Sequence, residues 1–251
     1  SDMNLSALIF KMANSSFYSR GRQIDSFKHA IAILGFNVIK TIAIAAASEV
    51  LFLSDSNPVY RRLIWSHSLV TGILSRVLGK EFPKQEKDFD AEKFFLSGLF
   101  HDIGKVVLNY FDRKNYHLVI AEVEENPIDF PESEKKHVDT THVEAGILAC
   151  DAWGLPTYVK DVIADHESPF QEGEPANLSY VRAANFLSKH LGYGKEVEEE
   201  KEQFFQTMAH ISGNHAYLDN GEEELNSLCT LVNAKLSKDP LFQYFHAGES
   251  A

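Results

Sequence analysis

The stretch Phe95-Leu96-Ser97-Gly98-Leu99-Phe100-His101-Asp102-Ile103-Gly104-Lys105 limits what this chain can fold into more than any other. Phe95, Leu96, Leu99, Phe100, Ile103, Val106 and Val107 recur at helical spacing, and a helix this apolar is a buried one. An imidazole, a carboxylate and an ammonium interrupt the run. Burying charge is costly unless it is paired or coordinates a metal, so the trio needs compensation from the rest of the fold. His101 and Lys105 stand four apart on one helix face, with Asp102 one step round. An adjacent His and Asp offer a nitrogen and an oxygen ligand, the start of a divalent metal site.

Around that stretch the chain reads as helices throughout. Leu5, Leu8, Ile9 and Met12 form an apolar face at once, ended by Asn14-Ser15-Ser16. Phe17 to Gln23 reads as a loop. Ser26 caps a helix that stops at Gly35, and an Ala-rich helix follows over 37–53. Asp55-Ser56-Asn57-Pro58 is a breaker and a candidate boundary. A helical run from Val59 carries His67 near its centre, and Gly79 to Asp90 reads as a loop. After the His-Asp helix come a helix over Tyr116 to Glu125 and a surface loop over Asn126 to Lys136, with Pro127 and Pro131. Thr141 and Glu144 are spaced as a capping box for a helix running to Trp153-Gly154. Pro156 suits the first turn of the next helix, which ends near His166, and Leu178 to Leu191 is helical. The charge run 196–202 reads as a solvated segment, before helices near Phe204 to Ile211 and Glu222 to Leu236. With no convincing strand pair, the fold class is all-α.

Composition narrows the function. The chain has 251 residues and a formal net charge of −12, so a broad Lys/Arg footprint for nucleic acid is not expected. Its most apolar run, Ile42 to Leu53, is interrupted by Glu49 and is too short to span a bilayer. The opening Ser1-Asp2-Met3-Asn4 lacks the basic segment of a signal peptide. Cys150 and Cys229 show no metal-type or disulfide-type pairing. These features read as cytoplasmic, with neither membrane nor nucleic acid as partner.

His67, His142 and His166 each lie on, or at the end of, a different expected helix. A metal site in a helical bundle is assembled from side chains on facing helices in this way. His29, His117, His137, His190, His210, His215 and His246 read as structural. The series His67, His101-Asp102-Ile103-Gly104-Lys105, His142, His166 resembles the HD superfamily of metal-dependent phosphohydrolases. Ile9-Phe10-Lys11-Met12-Ala13-Asn14-Ser15-Ser16-Phe17-Tyr18, Ala30-Ile31-Ala32-Ile33-Leu34-Gly35 and Trp153-Gly154-Leu155-Pro156 resemble, more narrowly, the HDOD (HD-related output domain) family of bacterial signalling proteins. The likeness covers roughly Leu5 to Leu191 and implies that the family's opening helices are missing here.

The resemblance implies a multi-helix HD-like bundle over 57–195, preceded by a smaller helical subdomain over 1–56 and followed by a helical extension over 196–251. It implies a divalent metal on His67, His101 and Asp102, with Fe, Mn, Zn, Ni and Mg not distinguished. His142 and His166 match further ligands, and Lys105 matches a phosphate-neutralising lysine of the HD-GYP branch. Where a later Asp is expected, Arg182-Ala183-Ala184-Asn185 places Asn185, whose neutral amide binds metal more weakly. Glu167-Ser168-Pro169-Phe170 stands where the Gly-Tyr-Pro segment of that branch would be. Three readings follow. The first is a signalling module that acts through protein partners, its site degenerate or partly retained and open to a nucleotide or other phosphate ligand. The second is a metal-dependent phosphohydrolase or cyclic-nucleotide phosphodiesterase. The third is a helical scaffold without a site. For the module, the expected partner surface is the Ala-rich helix pair or the Phe17 to Arg22 loop, where Tyr18, Arg20 and Arg22 cluster.

Overall fold

Short-range signals place most helix ends. In the computed structural model, which describes residues 2–19, 23–52, 55–84, 89–195 and 200–246, Ser26 Oγ accepts from His29 N at 3.2 Å. Gly35 ends that helix at φ 79°, backbone space that glycine enters without a Cβ penalty. The first elements are α1 (Asp2–Ala13), α2 (Ser16–Ser19), α3 (Phe27–Leu34), α4 (Phe36–Phe52) and α5 (Pro58–Tyr60). A π-helical turn, Arg61–Ser66, leads into α6 (His67–Glu81). Then come α7 (Ala91–Phe100), α8 (Ile103–Phe111), α9 (Arg113–Glu125), α10 (Phe130–Val138), α11 (His142–Trp153), α12 (Thr157–Asp165) and α13 (Ala176–His190). The chain closes with α14 (Glu200–Ser212), α15 (Ala216–Asp219), α16 (Gly221–Leu236) and α17 (Pro240–His246). Among the described residues there is no strand, and the fold is all-α.

The structure corrects four local expectations. The His-Asp helix is broken: α7 stops at Phe100 and α8 starts at Ile103, so His101 and Asp102 occupy the bend, with Asp102 at φ −103° and ψ 15°. The expected surface loop over Asn126 to Lys136 contains α10 instead. Asp129 accepts from Glu132 N at 2.8 Å, and Pro131 sits in the first turn, where no amide donor is needed. Ser16–Ser19 is a short helical turn in the expected Phe17 to Gln23 loop, and α6 runs on to Glu81 past Gly79. Positions 20–22 of the proposed partner loop and 196–199 of the charge run lie outside the described residues.

α6 is the centre of the bundle, buried from His67 to Gly79 and packed against α7 and α13. Small residues allow the approach: a Cβ on Gly98 of α7 would lie 2.8 Å from Gly72 Cα of α6. Thr71 Oγ1 and Ser188 Oγ, 2.8 Å apart, tie α6 to α13. One buried apolar cluster runs from Leu8 through α6 to Leu241, so the three expected segments share a core. Among the described residues no single helix is long and apolar enough to cross a membrane.

Candidate metal centre

The α7–α8 bend puts Asp102 where four helices meet. Gly104, two residues on, lies against the start of α11 so closely that a Cβ there would fall 1.8 Å from the His142 carbonyl oxygen. That contact seats Asp102 beside His142, the first residue of α11, whose capping box forms as its spacing predicts, with Glu144 N on Thr141 Oγ1 at 3.3 Å. His166 follows the last turn of α12, held by Arg182 Nη1, which donates to its carbonyl at 3.0 Å. His67 begins α6 directly after the π-helical turn, a local irregularity that recurs at functional sites.

The four imidazoles and one carboxylate converge. Asp102 Oδ2 lies 3.3 Å from His101 Nε2 and 3.5 Å from His67 Nε2, while Oδ1 lies 3.4 Å from both His142 Nε2 and His166 Nε2. The two nitrogens on the first side are 3.2 Å apart, and those on the second side 3.4 Å. Glu167 Oε1 completes the second group, 3.4 Å from His166 Nε2 and 3.5 Å from His142 Nε2. Asp102 thus bridges two sets of donors, His67 with His101 and His142 with His166 and Glu167. All four histidines and Asp102 are at most 3% exposed.

Each imidazole turns its Nδ1 outward to an acceptor. Nδ1–H of His101 donates to Gly98 O at 2.7 Å, that of His166 to Ile163 O at 3.0 Å, and that of His67 to Tyr193 O at 3.0 Å. His142 Nδ1 lies 2.8 Å from Glu134 Oε2, which also accepts from the His142 backbone N at 2.7 Å. These acceptors assign the proton to Nδ1 and leave Nε2 as the inward donor atom, the arrangement of metal-ligating histidines.

The donor set fits a cation. Nitrogen donors on a shared metal with ~2.05 Å bonds sit about 3.3 Å apart at tetrahedral angles, close to both observed separations. Asp102 Oδ1 is buried and makes no well-aligned hydrogen bond, a costly state for a carboxylate oxygen unless a further partner arrives. The electrostatics agree. Burial favours a protonated Asp102, but His101 and Lys105 outweigh it and hold the carboxyl well below its usual range. Burial lowers the pKa of His67 well below 6.5, and that of His101 also falls. Burial works the same way on His142, yet Glu134 outweighs it and pushes the group up to about 9. The second side therefore attracts positive charge.

The remaining expected site residues are close by. Lys105 Nζ donates to Asp102 Oδ2 at 2.6 Å and stands 3.8 Å above the Phe130 ring. It is engaged with the central carboxylate rather than turned to solvent. Asn185 lines a small cavity of about 70 Å³ with His166 and Glu167, its buried Oδ1 without a hydrogen bond. His117 and His137 bond Asp55 and Glu122 respectively, as structural histidines do. Two participants were not singled out from the sequence, Glu134 and Glu167. Glu167 carried a signal, since it follows His166 as Asp102 follows His101. Glu134 lay in the segment read as a loop, and only the helix capped by Asp129 turns it inward.

An all-α bundle with a His-Asp pair at a helix bend, facing histidines from three other helices, defines a protein of the HD type. The chain belongs to the HDOD family, whose domain model matches residues 1–169. Among solved structures it is similar to an HDOD domain protein of unknown function from Geobacter sulfurreducens (24% identity, 90% of this chain and 80% of that one, TM-score 0.69). A protein from Marinobacter aquaeolei, provisionally named for signal transduction, matches at 20% identity over 95% of this chain and 53% of its own length, with a TM-score of 0.67. One from Shewanella amazonensis, provisionally named a metal-dependent phosphohydrolase, matches at 24% identity over 82% of this chain and 71% of its own length, with a TM-score of 0.56. At these identities the likenesses establish the fold. No curated protein sequence matches the chain.

Proposed function

We propose that this chain is a regulatory HDOD module of a signalling system, built around a buried divalent-metal centre. His67, His101, Asp102, His142 and His166 would hold the metal, with Glu167 as a further ligand and Asn185 as a weak oxygen donor. One observation carries the regulatory reading: the donor cluster has its four histidines and Asp102 buried, with little free space beside it. The cavity against it, lined by His67, Lys105, Phe130, Glu167 and Lys189, holds about 30 Å³, room for roughly one water and far below the ~300 Å³ of a small-molecule site. A bound divalent metal would supply fixed positive charge and Lewis acidity. The side chains of this chain then do the rest. Asp102 joins the two donor groups, Glu134 and the outward acceptors orient the imidazoles, and Phe130 covers Lys105. Since the ligands come from α6, the α7–α8 bend, α11 and the end of α12, the state of the centre bears on how these helices pack. Signalling proteins are the proposed partners. The exposed Phe36 and Val50 of α4, 72% and 74% accessible, support a contact on the Ala-rich helix pair α3–α4.

A second reading, a metal-dependent phosphohydrolase, is favoured by the bridging position of Asp102 and by Lys105 and Lys189 in the cavity wall. One experiment separates the two. The protein is purified without chelator or affinity-column metal, beside a His101→Ala, Asp102→Ala double variant. Metal content and hydrolysis of cyclic dinucleotides and bis-p-nitrophenyl phosphate are then measured. About one or two equivalents of metal, lost in the double variant, with no turnover, support the regulatory module. Turnover that disappears with the double variant replaces it with the enzyme. Metal-free protein beside a folded double variant removes the centre altogether.

A further inference from the structure

A larger cavity lies away from the donor cluster. A cleft of about 740 Å³ lies between α4, the π-helical turn and α17, lined by Glu49, Ser56, Arg61, Ser66, Tyr193 and Tyr244 among others. That volume falls in the range of small-molecule sites. Its two arginines differ. Arg62 is committed, donating to Glu124 Oε2 at 2.6 Å and to Gly194 O at 3.4 Å. Arg61 has a buried Nε with no hydrogen-bond acceptor, an unfavourable state for a guanidinium unless an acceptor comes from outside the chain. The facing carboxyl of Glu49 is raised by its burial, with Arg61 pulling it down. The cleft therefore sets a cation and a carboxyl beside the aromatic residues Tyr193, Tyr244 and Phe245, with Ser56 and Ser66 also in its lining.

We infer that this cleft binds a small organic phosphate with a flat, amine-bearing ring, the chemistry of a purine nucleoside monophosphate. Arg61 presents a planar fork of donors matched to a phosphate. The aromatic residues offer a stacking face, and Glu49 accepts from a ring amine. A nucleic acid polymer is disfavoured by the net charge of −12. The cleft has a direct route to the donor cluster. Ser66 precedes His67, and Tyr193, which lines the cleft, accepts from His67 Nδ1 through its carbonyl at 3.0 Å. Occupancy of the cleft thus bears on the orientation of His67. This consequence rests on the proposed metal centre, whereas the binding site does not.

Trp65 reports on the cleft, because its ring lies 5.3 Å from that of Phe245 and is 2% exposed. Trp153→Phe leaves Trp65 as the single tryptophan. The full chain is titrated with AMP, followed by Trp65 fluorescence and by calorimetry, with adenosine and ribose 5-phosphate as separate arms. Saturable AMP binding is expected, tighter than either fragment. Arg61→Gln should weaken it by about tenfold or more, and Glu49→Gln should weaken it as a second, independent variant if Arg61→Gln does not fold. EDTA-treated protein should bind AMP as the untreated protein does. The inference is overturned by the absence of saturable binding up to about 5 mM, or by affinity unchanged in both variants. It is also overturned by AMP binding that disappears with EDTA, which places the nucleotide at the metal centre. If no metal is found but AMP binding is lost with Arg61, the cleft stands while the metal-centre reading fails.

Discussion

Lys105 is 4% exposed and pairs with Asp102, 2.6 Å away. Removing one member of a buried ion pair leaves an uncompensated charge, worth about 3–5 kcal/mol. Lys105→Ala is therefore expected to destabilise the metal-free protein by about that much. The loss should shrink in metal-loaded protein, where a second positive charge faces Asp102. Urea unfolding with and without EDTA measures both, and a variant as stable as the parent in each condition would count against this account. His142 gives a pH dependence. Its folded pKa of about 9 stands above the ordinary 6.5, raised by Glu134 against the opposing effect of burial. A raised histidine contributes stability that is fully present below about 6.5 and is lost as pH climbs through about 9. Metal-free protein should lose stability across that window, and Glu134→Gln should flatten the slope. Thermal melts at several pH values decide it. At this scale the sequence was informative where a residue clashed with its neighbours: His101 and Asp102 stand out because charge interrupts an apolar run. Glu134 did not, since a glutamate among Glu132, Lys135 and Lys136 resembles any solvated one.

Among the elements, the pairing of α8 with α11 decides the geometry of the centre. It depends on Gly104, whose missing side chain lets the two backbones touch. Gly104→Ala is expected to cost about 3 kcal/mol or more as an overpacking change and to loosen the donor cluster, because His142 carries the carbonyl in the way. Reduced metal content together with a lowered melting temperature would show it, while a variant with unchanged content and melting would refute the close contact. The ends of α3 and α11 were legible because caps are local: Ser26, Gly35, Thr141 and Glu144 act within one turn of their own backbone. The break between α7 and α8 was not. Apolar spacing continues through His101 and Asp102, and the bend follows from contacts with α11, some forty residues further on.

Across the whole molecule, the C-terminal segment is tied to the centre of the bundle. Arg76 on α6, 3% exposed, donates to Asp239 Oδ2 at 2.6 Å, with Glu92 at 3.5 Å as a weaker partner. Asp239→Ala should therefore cost about 3 kcal/mol and expose the face of α6 that α16 and α17 cover. Since one core spans α1 to α17, calorimetry should record a single transition at a lower temperature, and a second separate transition would contradict the shared core. By itself the amino-acid sequence determined the all-α class, most helix boundaries and the unusual His101-Asp102 pair, because periodicity, capping and charge in an apolar run act over a few residues. Only the tertiary structure decided which imidazoles meet Asp102, that Glu134 and Glu167 join them, and that little free space is left beside the cluster. Those contacts join residues as far apart as His67 and Tyr193, and their distances depend on how whole helices pack.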